Sequence, residues 1–141
     1  MKIFIGSDHA GVDLKSAVIK HYEGKFEFED KGTFSHDSVD YPDFAHAVAE
    51  GVLNNADSLG ILICGTGNGM AITANKHAGI RAALCWAPEI AALAKQHNNA
   101  NIIVLPARFI PSDVAIATLT AFFEAEFEGG RHQRRIDKIN I

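Results

Sequence analysis

With 141 residues, 48% of them hydrophobic and 21% charged, the chain is long and apolar enough to bury a real core as one domain, which excludes a disordered chain. Its formal net charge of -4 excludes a general nucleic-acid-binding surface, which needs a basic face, while leaving room for a local basic pocket. Two cysteines, Cys64 and Cys85, lie in apolar segments without CxxC spacing, which excludes a disulfide framework or a zinc ribbon.

The opening stretch MKIFIGSDHAG meets Asp8 after a few apolar residues. It reads as neither a leader nor a membrane span, so a reduced, cytoplasmic setting is expected. Within it, KIFIG (Lys2 to Gly6) is a buried strand. Leu14, Ala17, Val18 and Tyr22 then follow with helical spacing. KFEFED (Lys25 to Asp30) alternates with period two, as an edge strand does, and residues 32 to 40 form a polar loop. Pro42 suits the first turn of a helix that continues through Phe44, Val48 and Val52. LGILIC (Leu59 to Cys64) is a continuous apolar run, typical of a central parallel strand. It leads into a glycine turn and a helix of roughly three turns. IRAALCW is a fourth strand, followed by a helix that opens at Pro88. NIIVL is a fifth strand, followed by a helix from about Ser112 to Phe123. After Gly129 and Gly130 the chain resumes as a short basic helix at about 130–140.

Repeated alternation of strand and helix predicts an α/β sandwich around a mostly parallel sheet. Ligands of such sheets sit beyond the carboxyl ends of the strands. Three polar clusters fall there: GSDHAG, CGTGNG and PAR. The loop after the third strand carries Gly65, Gly67 and Gly69, which leave backbone N–H groups uncovered. A helix starting near Gly67 would point its unpaired N–H groups at an anion. No Lys-Ser/Thr follows the glycines, so this is not a P-loop, and the spacing is not that of a dinucleotide fold.

Cys64 stands at the mouth of this loop, and two readings are open. It is a small buried hydrophobe, as free cysteines commonly are, or a thiolate base favoured by the helix dipole. Cys85 takes the first reading. Asp8 and His9 read as a helix cap and its neighbour, or as site groups. His97, Asn98 and Asn99 read as a helix-terminating loop with a dipole-complementing histidine, or as the same. Arg131 and Arg135, spaced i, i+4 with Arg134 and His132 beside them, are a solvated face or a phosphate clamp. His21, His36, His46 and His77 read as surface residues. No HExxH motif or carboxylate–histidine cluster suggests a metal site, and no cofactor is expected.

Taken together, GSDHAG, DYPDFA, ICGTGNGM, ANKHAGIRAAL, HNNAN and EGGRHQRRI resemble the sugar-phosphate isomerase family of ribose-5-phosphate isomerase B and the galactose- and allose-6-phosphate isomerases, over nearly the whole chain. The resemblance implies a Rossmann-like three-layer α/β/α sandwich with a five-stranded parallel sheet in the order 2-1-3-5-4. It implies aldose–ketose isomerisation of ribose 5-phosphate through an enediolate. In that scheme Cys64 is the base, Thr66 handles hydroxyl protons, and the backbone of Gly65, Gly67, Asn68 and Gly69 holds the anion. His97 opens the sugar ring, and Asp8 and Asn98 hold its oxygens. Tyr41 lines the pocket, while His9, Arg108, Arg131 and Arg135 bind the phosphate end. The resemblance further implies a homodimer or tetramer whose sites draw on two chains. Asn68 replaces the Ile or Val of many cysteine-type members, and Pro106 and Pro111 replace glycines. A six-carbon sugar phosphate is the alternative substrate within the family. A nucleotide- or flavin-binding module is the alternative outside it.

Overall fold

The computed structural model describes residues 1–141. Strand β1 (Lys2–Ser7) runs through a 3-10 turn (His9–Gly11) into α1 (Val12–His21). Then come β2 (Glu27–Asp30), α2 (Tyr41–Asn54), β3 (Leu59–Cys64), α3 (Asn68–Ala74), β4 (Ala82–Leu84) and α4 (Pro88–Asn98). The chain ends with β5 (Ile102–Pro106), α5 (Ser112–Glu124) and α6 (Arg131–Asp137). The five strands form one sheet in the order β2-β1-β3-β5-β4, and every pairing is parallel. This is the order the family resemblance implied.

Strands β3 and β5 are buried along their whole length. That is why they read as unbroken apolar runs: helices cover both of their faces. On one face Ile3, Ile5, Ile61, Ile63, Ile103 and Leu105 pack with Leu14, Val18, Ala91, Leu119 and Phe122 of α1, α4 and α5. On the other, Phe4, Leu62, Cys64 and Val104 pack with Val48, Val52, Met70 and Ala74 of α2 and α3. Residues alternate between these two cores along each strand, so the parity of Cys64 turns its side chain toward α2 and α3.

Three elements are shorter than their sequence patterns. Helix α3 spans seven residues, about two turns rather than three. The Asn75 side chain ends it, accepting from the Ala82 N–H at 2.8 Å and donating to the Ala82 carbonyl at 2.9 Å. It thereby draws the chain into β4. Strand β4 keeps only Ala82–Leu84 of the longer apolar run, because the Ile80 N–H is held in a turn by His77 at 3.1 Å and Trp86 is exposed. Lys25 and Phe26 belong to the turn before β2, their N–H groups held by the Tyr22 carbonyl.

Candidate active site

Parallel strands end together, and at their carboxyl edge four segments are tied to one another. The Asp8 N–H donates to the Ile63 carbonyl at 3.1 Å, joining the ends of β1 and β3. The N–H groups of Ala107 and Arg108 donate to the carbonyls of Cys64 and Gly65 at 2.9 and 3.0 Å, joining the ends of β3 and β5. The Val39 N–H donates to His9 Nδ1 at 3.3 Å, fastening the loop before α2 to the 3-10 turn. Asp8 caps that turn through the Ala10 N–H at 2.9 Å. Asp8, His9, Tyr41, Cys64, Thr66, Asn68 and Arg108 therefore share one end of the sheet.

Cys64 is buried, and the Gly67 N–H donates to its sulfur at 3.1 Å. Gly67 caps α3 with φ of 80°, a left-handed conformation that L side chains rarely adopt. The turn it makes aims the first N–H groups of α3 at the thiol. Burial raises the Cys64 pKa, the N–H groups of Met70, Gly67 and Thr66 pull it back, and Asp8 pushes it up again. The net direction is up. The N–H groups thus act toward thiolate, as the sequence predicts, while removal of the sulfur from water outweighs them in the lone chain. The Thr66 side chain is exposed, and its Oγ1 accepts from the Asn68 N–H at 3.2 Å. Its own proton is thus free to be donated. Gly65 leaves room for the Arg108 side chain, whose atoms lie 3.3 Å from where a Cβ would stand. Tyr41 lies across Gly69 in the same way.

His97, Asn98, Arg131 and Arg135 are elsewhere. Helix α4 starts beyond β4 and returns to the opposite edge of the sheet before β5 begins, so its last residues lie at the amino ends of the strands. Asn99, with φ of 45°, ends the helix in the left-handed region. Arg81, just before β4, donates through Nε to the Asn98 carbonyl at 3.0 Å and through Nη2 to the Asn99 carbonyl at 3.0 Å. A cation placed there satisfies orphan carbonyls at the negative end of α4. Helix α6 packs on α4. Together they form a cleft of about 390 Å³ lined by His97, Asn98, His132, Arg135, Ile136 and Ile139. His97 stacks on His132 with ring centroids 4.2 Å apart. Burial, then His97 and Arg131, lower the His132 pKa. One chain thus carries two groups of candidate residues at opposite ends of the sheet: a thiol with N–H donors, and an imidazole with guanidinium groups.

Three contributors were not legible beforehand. Arg81 looks like a surface charge in ANKHAGIRAAL. Lys15 sits in a helix pattern, yet it is buried, donating to Asp30 Oδ1 at 2.8 Å and to the Thr33 carbonyl. It holds the loop that leads to Tyr41. Glu128 approaches both stacked imidazoles, at 3.7 Å from His97 Nε2 and 3.6 Å from His132 Nε2, a meeting that depends on how α4 and α6 pack. Cys85 is buried against the core with its pKa raised to about 12 by desolvation, as a packing cysteine. No helix is long and apolar enough to cross a membrane.

The family model described as Ribose/Galactose Isomerase matches residues 3–139. A probable ribose-5-phosphate isomerase B of Mycoplasma genitalium is 51% identical over 140 residues, covering 97% of this chain and 92% of that one. Ribose-5-phosphate isomerase B of Escherichia coli is 44% identical, covering 98% and 93%. A solved ribose 5-phosphate isomerase of Thermotoga maritima superposes with a TM-score of 0.96 at 53% identity, covering 99% of this chain and 97% of that one. The M. genitalium enzyme, solved with bound ribulose-5-phosphate, superposes with a TM-score of 0.94 at 50% identity, covering 98% and 93%. By the match of its sequence and of its sheet, the chain belongs to the ribose/galactose isomerase family.

Proposed function

We propose that this chain is a cofactor-independent aldose–ketose isomerase that interconverts ribose 5-phosphate and ribulose 5-phosphate, with residues 1–141 acting as one sugar-phosphate isomerase domain in the cytoplasm. The observation that carries the reading is the position of Cys64, a thiol on the rim of an N–H-lined loop at the carboxyl edge of a parallel sheet.

The chemistry needs a base at the C1–C2 bond and donors where enediolate charge develops. Cys64 as thiolate takes the proton from C2 of the open-chain aldose. The electron pair moves into the C1–C2 bond, and the carbonyl oxygen at C1 becomes the anion that the N–H groups of the Gly65–Gly69 loop hold. Thr66 moves a proton between the two oxygens. The thiol then returns its proton to C1, leaving the ketose. Asp8 and Tyr41 hold and enclose the sugar, and His9 and Arg108 reach toward its phosphate end.

The other functions lie at the far edge of the same chain, so the reading calls for a second copy. His97 opens the furanose ring, Asn98 holds a sugar oxygen, and Arg131 and Arg135 bind the phosphate, all from the partner subunit. Two observations support this composite site. The two half-sites are separated by the length of the sheet. The cysteine edge also exposes Phe34, Tyr41, Trp86 and Phe109, aromatic surface of the kind that partners cover. Guanidinium groups arriving over Cys64 would offset the burial that raises its pKa.

Side-by-side turnover of ribose, allose and galactose phosphates tests the substrate, with ribose 5-phosphate expected to be fastest. Co-refolding Cys64→Ser with Arg135→Ala tests the composite site. In a two-fold dimer, random pairing restores about a quarter of the sites. Recovery of no activity from two folded, inactive variants would place each site within one chain.

A further inference from the structure

Folding assembles a donor set that the spacing along the chain does not advertise. His97 nears the end of α4, Glu128 lies in the segment between α5 and α6, and His132 is the second residue of α6. One ligand atom from each lies within 4.8 Å of the others. Glu128 Oε1 stands 3.7 Å from His97 Nε2 and 3.6 Å from His132 Nε2. Neighbouring ligand atoms around a tetrahedral ion with bonds of about 2.0–2.1 Å are ~3.3 Å apart, so small rotations close the set. The backbone is already fixed: the Glu128 N–H donates to the Gln96 carbonyl at 2.9 Å, and the His132 N–H to the Gly129 carbonyl at 3.1 Å. The His132 side chain is 10% exposed and held. Those of His97 and Glu128 are 39% and 52% exposed and free to converge on it. The cleft beside them gives an entry path.

The donors and the surrounding charge decide the ion. Two imidazoles and one carboxylate suit zinc-class ions and leave one position open. Magnesium and calcium prefer oxygen donors. Arg131 and Arg135 oppose a cation by charge, so only an ion with strong bonds to nitrogen competes, and the open position favours an anion.

We infer that His97, Glu128 and His132 form a binding site for a divalent transition-metal ion of the zinc class, and that an ion bound there inhibits the enzyme by occupying the His97 lone pair. The inhibition rests on the function proposed above; the binding does not. The ion breaks the imidazole stack and acts as an inhibitor, not as a cofactor.

Cobalt(II) titration of the metal-free protein, followed by visible absorption and reversed by zinc, tests the site without any sugar. One ion per chain is expected, with affinity reduced more than about tenfold in both Glu128→Gln and His132→Ala. Glu128→Gln keeps the side-chain size on an exposed group, and circular dichroism checks its fold. Two controls address the other donors: His46→Ala with His77→Ala, which removes the imidazole pair whose Nδ1 and Nε2 are 2.7 Å apart, and Cys64→Ser. Binding that survives both cluster variants, or that disappears in a control instead, overturns the site.

Turnover of ribose 5-phosphate is the second arm. Zinc should raise KM, and Glu128→Gln should need more than about tenfold more zinc for the same effect. Binding without inhibition rejects the inhibitory role. A metal-free protein with no turnover at all rejects the isomerase reading, while the cobalt titration still decides the site.

Discussion

Replacing Gly69 by alanine inserts a methyl group into space that the Tyr41 ring occupies. A Cβ at this position stands 2.4 Å from Tyr41 Cε1, 2.5 Å from Cζ and 3.0 Å from Cδ1, the first two about 1 Å or more inside the ~3.5–4.0 Å of a normal carbon contact. Something must move, and Tyr41 can. It is 40% exposed and is the first residue of α2, so its ring swings toward solvent and the backbone stays. The cost is an off-rotamer side chain, about 0.5–1.5 kcal/mol. Against it stands the gain from replacing glycine by alanine in a helix, up to about 1 kcal/mol. The net change in stability should stay within about 1 kcal/mol, a shift in Tm of no more than roughly 5 °C. Function should suffer more. If Tyr41 walls the sugar site beside the Gly65–Gly69 loop, displacing it by an ångström should lower kcat/KM by up to about 100-fold. Calorimetry and steady-state kinetics on the same preparation measure the split. Gly67→Ala is the contrast: its φ of 80° and a Leu84 Cδ1 2.3 Å from the new Cβ should cost well over 1 kcal/mol, since strain and overpacking add. Because Gly69→Ala acts on the site only through the Tyr41 ring, adding it to Tyr41→Ala should leave the kinetics almost unchanged while the helix gains up to about 1 kcal/mol. Unchanged kinetics in Gly69→Ala would remove Tyr41 from the site. A loss of stability as large as that of Gly67→Ala would show that the ring is not free to yield.

Cys64→Ser should fold and bind sugar phosphate but lose about 10²–10⁴-fold in turnover, the usual worth of a positioned base, and solvent exchange at C2 should fall with it; near-normal exchange would give the base role to another group. Cys85→Ser should cost about 1–3 kcal/mol for a poorly satisfied buried hydroxyl and leave catalysis nearly intact, which a denaturation curve and one rate measurement together decide. Because the reaction needs Cys64 as thiolate, turnover should climb with pH by about tenfold per unit on the acid limb, with a midpoint that the partner's guanidinium groups hold below that of the lone chain, where burial raises the Cys64 pKa; a flat profile would exclude a protonated resting thiol. Stability should run the opposite way: what the two raised thiol pKa values contribute is fully present below about pH 8.5 and is lost as pH rises toward their folded values, about 12 for Cys85. Arg135→Ala should weaken binding of phosphorylated sugar by about 1.5–3 kcal/mol, the range for charged hydrogen bonds, and equal binding by calorimetry would return α6 to a solvated face.

The sheet was largely legible because its central strands are buried on both faces. Such strands must be apolar throughout, and LGILIC and IIVLP are. The helix starts at Pro42 and Pro88 were legible for a local reason too, since proline suits a first helical turn. Element ends were less so. Asn75 stops α3 by bonding to the backbone of Ala82, a contact across a turn that no periodicity encodes. The thiol and its glycine loop are contiguous in sequence, so that half of the candidate site could be read directly. Its electrostatic balance could not be, because desolvation of Cys64 depends on α2, α3 and Asp8 closing around it. The second half depends on where α4 delivers its last turn. Crossover geometry sends His97 to the amino edge of the sheet, Arg81 clamps it there from the start of β4, and the segment between α5 and α6 brings Glu128 and His132 against it. The residue types and their chemistry are set by the sequence alone. Which of them face the same space is set by the tertiary path: each helix must run back to the amino edge before the next parallel strand begins, which fixes the end its last residues reach, and the right-handed crossover fixes the face it covers.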